Sequence, residues 1–296
     1  MERIYYGIRP VVKLDRRPVG VACRGLRELA LSCAFLVYSG GIVNCRPPVP
    51  IRPGAGPRAA GTGLRREYMK RSEVNALMRE AIRFVRARKF LLPPFAFWSP
   101  AQWKDKGHEA DEIRDCRLGW DITDFGLGRF HKFGLILFTV RNGRPADRRY
   151  LKCYAEKLMI VEERQLTPMH FHWSKAEDII VRGGGNLLIQ LFNSTPSEGL
   201  ARTPLTVSID GVRRTLKAGS KVTLTPGESI CLPQRLYHKF WADPGKGKVL
   251  VGEVSAVNDD LKDNRFYEPV GRFPTIEEDE PPLHLLCSEY PPAPRP

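Results

Sequence analysis

The sequence predicts a mainly β fold, a sandwich or barrel preceded by one amphipathic helix and flanked by shorter ones. Three observations lead there. From Leu135 onward short apolar runs recur, at Leu135–Val140, Tyr150–Glu162, Asp178–Arg182, Asn186–Phe192, Thr206–Ile209, Lys221–Leu224, Ser229–Leu232, His238–Trp241 and Val249–Val254. Many short strands in succession are the mark of a sandwich or barrel. Tight turns separate them: Asp210-Gly211 is a strong hairpin signal, and Ala218-Gly219 and Pro226-Gly227 mark further reversals. Helical period appears in one stretch, about Ser72–Lys89, where Val74, Leu77, Met78, Ala81 and Val85 form a stripe at i, i+3, i+4, i+7 and i+11.

In chain order, residues 1–68 stand apart. They carry twelve Lys and Arg, eleven of them Arg, against four Asp and Glu. The run Arg46–Gly63, RPPVPIRPGAGPRAAGTG, cannot supply a packed core. The expectation is a disordered segment or a spurious N-terminal extension, with Met69 as the natural start and residues 69–296 as the folded domain. In the helix, Ser72 is the expected N-cap, with Glu73 favourable in the first turn, and Pro93-Pro94 breaks any regular structure beyond it. Residues 95–130, rich in aromatics and glycines, read as loops and short helices laid against a sheet. The tail from Glu277 is acidic, then Pro-rich, and reads as irregular.

Composition narrows the function. The net charge of +14 suggests an anionic partner, but residues 1–68 account for +8 of it, and no basic stripe interleaved with aromatics occurs in the remainder. Nucleic acid is therefore not the expected partner. The apolar stretch Leu29–Val43 is short of the roughly 20 residues that span a bilayer, which argues against a membrane partner. Seven cysteines, odd in number and without a CxxC pair, suit reduced thiols in the cytoplasm better than a disulfide framework.

The chemistry concentrates in Pro168-Met-His-Phe-His-Trp-Ser-Lys-Ala-Glu177. His170 and His172 are two apart, which on a strand puts both imidazoles on one face. Glu177 comes after a short turn, and His238 lies downstream in Pro233-Gln-Arg-Leu-Tyr-His238. Imidazoles with one carboxylate make a mixed nitrogen and oxygen donor set that leaves open positions on an ion, the arrangement of a catalytic metal.

The order HxHx4E, then Gly184, then Gly227-x5-Pro233 and His238, is similar to the two cupin motifs. The fold class is accordingly a cupin jelly-roll barrel, with His170, His172, Glu177 and His238 as metal ligands. Two departures concern turns: Arg164 stands where a glycine is usual, and Arg235 and Ala242 stand where a glycine and an asparagine are usual.

Residues 69 to about 290 resemble bacterial cupin-type D-lyxose isomerase, through Met169–Ser194, Leu224–Trp241 and, most specifically, GEVSAVNDDLKDNRFYEP at Gly252–Pro269. The resemblance implies a homodimeric sugar isomerase that uses manganese, with other divalent ions such as cobalt as substitutes. It implies conversion of D-lyxose to D-xylulose, with D-mannose to D-fructose as a second pair. Such chemistry needs a Lewis acid on adjacent sugar oxygens and a base that moves a proton between C1 and C2 through an ene-diolate. Glu253, in the apolar run Val249–Val254, is the candidate base, and Lys157 the candidate cation for the ene-diolate. Asp263 and Phe240 join them as substrate contacts. Trp103, Trp120 and Trp241 are either sugar walls or core. Two other functions stay open on the residues alone: an iron-dependent cupin dioxygenase and a non-enzymatic sugar-binding cupin.

Overall fold

The computed structural model describes residues 68–145, 147–260 and 262–294. The expectations for residues 1–67, including the Leu29–Val43 stretch, lie outside the described residues. Strand β1 (Met69–Lys70) leads into helix α1 (Arg71–Ala87). Two 3-10 turns, Pro94–Phe97 and His108–Ala110, alternate with the short helices α2 (Pro100–Lys104) and α3 (Asp111–Asp115). Next come the strands β2 (Gly119–Thr123), β3 (Leu135–Arg141), β4 (Tyr154–Val161), β5 (His170–His172), β6 (Glu177–Gly184), β7 (Leu187–Asn193) and β8 (Leu205–Ile209). The remaining strands are β9 (Val212–Leu216), β10 (Lys221–Leu224), β11 (Ser229–Leu232), β12 (Leu236–Ala242), β13 (Val249–Ala256), β14 (Asn264–Phe266) and β15 (Ile276–Glu277).

Two antiparallel sheets make the cupin barrel. One runs β2-β3-β4-β13-β6-β11-β8-β9, the other β10-β7-β12-β5-β14. Alternate residues point inward: Leu135, Leu137, Met159, Ile179 and Val251 of the larger sheet share one core with Leu187, Ile189, Leu191 and Phe240 of the smaller. The opposite face of the larger sheet is also dry. Ile136, Phe138, Leu158, Ile160 and Leu250 pack with the α1 stripe of Val74, Met78, Ala81 and Val85. Burial on both faces explains why β3 and β4 read as continuous apolar runs rather than alternating ones.

Three expectations are corrected. The segment 95–130 contains a true strand, β2, on the edge of the larger sheet, with Trp120 buried in the same core as the α1 stripe. Ser72 is not the N-cap of α1: Lys70 is, and the amide and hydroxyl of Ser72 both donate to Asp279, at 2.9 and 2.7 Å. The tail is not irregular at its start, for β15 pairs in parallel with β1. Beyond it the acidic residues clasp the helix start. Buried Arg71 donates to Glu278 at 2.6 Å and to Glu289 at 2.5 Å, and Asn75 donates to Glu280 at 2.6 Å. The acidic composition of the tail is thus satisfied locally, at a helix N-terminus where negative charge is favoured.

The motif departures keep cupin backbone geometry at a cost. Arg164 and Arg235 both adopt φ of 61°, the left-handed region that glycine occupies without strain. Cys116, Cys153, Cys231 and Cys287 are free thiols. No helix among the described residues is long and apolar enough to cross a membrane.

Candidate active site

Four side chains converge between the sheets. β5 carries His170 and His172 on its inner face, and β12 places His238 opposite His170 in the ladder. Glu177 opens β6 on the other sheet. The imidazole donor atoms of His170, His172 and His238 lie within 4.8 Å of one another. Glu177 brings its oxygens to 3.4 Å from His172 Nε2 and 3.1 Å from His238 Nε2. All four residues are buried.

The arrangement fits one divalent cation. His170 Nδ1 and His238 Nδ1 lie 2.8 and 3.0 Å from the carbonyl oxygens of Pro168 and Leu236. Donation of Nδ1–H to those carbonyls fixes each ring and leaves its Nε2 lone pair for a ligand, as in metal-bound histidines. His172 Nδ1 is buried without a hydrogen-bond partner, and His238 Nε2, though 3.1 Å from Glu177, makes no aligned hydrogen bond to it. Burial, and then the other imidazoles, push the His170 pKa well below its ordinary value; burial lowers that of His172 too, although Glu177 opposes it. Both are neutral, the ligating form. Burial opposes ionisation of Glu177, yet Lys175 and the two imidazoles beside it outweigh that and hold its carboxyl well below the usual range. Neutral nitrogens around a carboxylate suit a borderline divalent ion.

Next to this cluster runs a line of alternating charges. Lys175, buried on the turn between β5 and β6, places Nζ 2.8 Å from Glu177 Oε2 and 2.7 Å from Glu253 Oε1. Lys157 sits opposite Glu253 in the β4–β13 ladder, with Nζ 3.6 Å from Glu253 Oε1 and 3.4 Å from Asp260 Oδ1. Arg272 then bridges Asp260, at 3.0 Å, and Asp121 on β2. Burial lowers the Lys175 pKa, but Glu177, Glu253 and Asp260 more than reverse this, so it stays charged. Asp260 is likewise held ionised against burial by Lys157, Arg272 and Lys175. Glu253 Oε1 also accepts from Ser255 at 3.1 Å; its Oε2 receives none of these contacts.

Lys157, Glu253 and Phe240 therefore line one cavity with the four candidate ligands. Asp263 does not. Its carboxylate accepts from the backbone amides of Ser174 and Lys175, at 2.7 and 3.1 Å, and so shapes the turn that aims Lys175. Trp120 and Trp103 lie in the outer packing, where Trp120 donates to Ala96 and Trp103 stacks on Tyr290. The sequence alone singled out neither Lys175 nor Arg272. Lys175 had a signal, its place inside the motif three residues after His172; Arg272 had none.

Lys175 neutralises two buried carboxylates at once, and this sets an expected result. In metal-free protein, Lys175→Met costs about 3–5 kcal/mol, the usual penalty for leaving buried charge unpaired. Denaturant unfolding measures it, and added divalent ion restores part of the loss by taking over Glu177. A cost below about 1 kcal/mol, the scale of an exposed pair, would contradict the buried network.

The profile of the D-lyxose isomerase family matches residues 69–290. The D-lyxose/D-mannose isomerases of Serratia proteamaculans and Escherichia coli O157:H7 are each 53% identical over 223 residues, 75% of this chain and 98% of theirs. A D-lyxose ketol-isomerase of a Thermofilum species is 32% identical over 164 residues, 53% of this chain and 81% of its own. Among solved structures, L-ribose isomerase of Cellulomonas parahominis aligns with a TM-score of 0.46 at 18% identity, covering 71% of this chain and 99% of that one. With a profile match over most of its length and relatives at 53% identity, the chain belongs to the D-lyxose isomerase family.

Proposed function

We propose that the chain interconverts D-lyxose and D-xylulose, and as a second pair D-mannose and D-fructose, with manganese as the preferred divalent ion and cobalt as a substitute. The observation that carries this reading is the sharing of one buried cavity by the His170, His172, Glu177 and His238 donor set and the Glu253 carboxylate. The assembly we propose is a homodimer, and the compartment the cytoplasm, where free thiols stay reduced.

Bound at those donors, a divalent ion supplies Lewis-acid polarisation of the open-chain sugar's carbonyl and neighbouring hydroxyl. The rest falls to the chain's own side chains. Glu253 takes the proton from C2 of the aldose and returns it to C1 through an ene-diolate, while the C2 hydroxyl gives up its proton to become the ketose carbonyl and O1 gains a proton to become the hydroxyl. Lys175 and Ser255 hold Oε1 of Glu253, with Lys157 beside it, which orients Oε2 for the transfer. The two ammonium groups also offset the negative charge that grows on the sugar oxygens, a stabilisation worth more in a dry site than in water. Met159, Ile179 and Phe240 line the same cavity and exclude bulk water.

A panel of aldoses scored for ketose formation, run with metal analysis of the purified protein, tests the reading. The expected result is ketose from D-lyxose at the highest rate, with manganese restoring metal-stripped protein best. A chain beginning at Met69 is expected to match the full chain in rate and thermal midpoint. Inertness towards every aldose, with oxygen consumed on another substrate, would give the site to the dioxygenase reading. Sugar binding without turnover would give it to the sugar-binding reading.

A further inference from the structure

Buried polar atoms are nearly always hydrogen-bonded, so each exception asks for a reason. Among the described residues, six buried side-chain atoms have no partner: Arg88 Nε, Thr167 Oγ1, His172 Nδ1, His238 Nε2, Asn264 Oδ1 and Arg272 Nε. Five of the six belong to residues that line the one cavity described above. Arg88 is the exception, and its guanidinium lies 3.3 Å from the centre of the Phe84 ring. A deficit confined to one cavity is not scattered imperfection of packing. It is what a site looks like when its hydrogen bonds go to a ligand.

Of the two imidazole atoms, His238 Nε2 faces Glu177 in the donor cluster and is accounted for by a cation, while His172 presents Nε2 to that cluster and its Nδ1 is the ring's other nitrogen. The other three belong to no metal ligand, and they differ in kind: a hydroxyl that can donate or accept, an amide oxygen that accepts, and a guanidinium N–H that donates. Each is held in place by other atoms of its residue. The Thr167 amide donates to the Phe240 carbonyl at 3.0 Å, three residues ahead of His170. Asn264 stands opposite His172 in the β5–β14 ladder, and its amide nitrogen donates to the Asp260 carbonyl at 3.3 Å. The terminal nitrogen of Arg272 is shared by Asp260 and Asp121.

We propose that Thr167 Oγ1, Asn264 Oδ1 and Arg272 Nε hold the sugar hydroxyls beyond C1 and C2, and so read the length and configuration of the substrate. The inference rests on the reading of the cavity as an aldose site, with the reacting end of the sugar at the metal donors and Glu253. A mixed set of one donor, one acceptor and one group that serves as either suits hydroxyls, each of which both gives and takes a hydrogen bond. A site built to pair with a hydroxyl also rejects an analogue that lacks it, because its own buried atom is then stranded.

Three near-isosteric variants test this: Thr167→Val, Asn264→Leu and Arg272→Lys, the last keeping a cation for Asp121 and Asp260. For D-lyxose each is expected to lower kcat/KM by about 10-fold, the order of one hydrogen bond. For the deoxy aldose that lacks the matching hydroxyl, the same variant should change nothing. The thermal midpoint of metal-loaded Thr167→Val and Asn264→Leu should hold or rise, because an unpartnered buried polar atom has been removed. A purely structural role predicts the reverse, lower stability with the loss equal for every sugar, and that pattern overturns the proposal. So does a kcat/KM for D-lyxose within twofold of the parent in all three. Calorimetric binding of the alditol of D-lyxose to the metal-loaded parent and variants gives a readout without turnover. Weaker alditol binding in the variants supports the hydroxyl contacts even if isomerisation fails, and equal binding overturns them even if isomerisation succeeds.

Discussion

Replacing His172 with Ala is expected to abolish stoichiometric binding of the divalent ion, and turnover with it. His172, His170 and His238 bring their imidazoles to one point, and among the described residues these three form the one such His, Cys, Asp or Glu group; Lys175 beside them is cationic. Even partners that only orient a ligand typically change affinity by about 10–100-fold, so loss of a ligand itself is expected to exceed that. The variant should still fold, since the truncated ring opens into the cavity and is not one of the apolar side chains of the core shared by the two sheets. Metal content after dialysis, read with circular dichroism as a folding control, measures the outcome. Retention of full metal by folded His172→Ala would sink the site.

The second large effect is chemical. Glu253→Gln is expected to lower turnover by roughly 10²–10⁴-fold, the usual contribution of a general base, while the metal content stays at one ion. Glu253 stands within the charge line, between Lys175 and Lys157, rather than among the donors. Its amide replacement keeps shape and a hydrogen-bond acceptor for Lys175 but cannot take a proton. Solvent deuterium should enter C1 of the ketose or C2 of the aldose in the parent enzyme. Complete retention of substrate hydrogen would point to a hydride shift and take the base role from Glu253. A chelating sugar acid should compete with the aldose, because its carboxylate and adjacent hydroxyl mimic the two oxygens next to the reacting carbons.

The barrel and the candidate donor set were legible in local sequence pattern. Strand signals survive in sequence because burial alternates with a period of two, and the α1 stripe survives because a helix on a sheet buries a period of 3.6. His170, His172 and Glu177 were legible because they fall within eight residues, on β5 and the first residue of β6, and His238 because its motif is also local. Even Arg164 and Arg235, at odds with the motif, keep the left-handed turns that glycine would have formed. Which buried charges meet was not legible there. Lys175 lies 78 residues from Glu253, and Arg272 lies 151 residues from Asp121, and both pairs close only when the sheets are assembled. Asp263 looked like a sugar contact for the same reason: its residue type suits a hydroxyl, but two amides of the β5–β6 turn claim it first. Ser72 looked like a helix cap until Asp279 arrived from the far end of the chain. Hydrophobic period reports that a face is buried; it carries no record of which polar group waits across the barrel, because that pairing is set by register and by loops that share no periodicity with the strands.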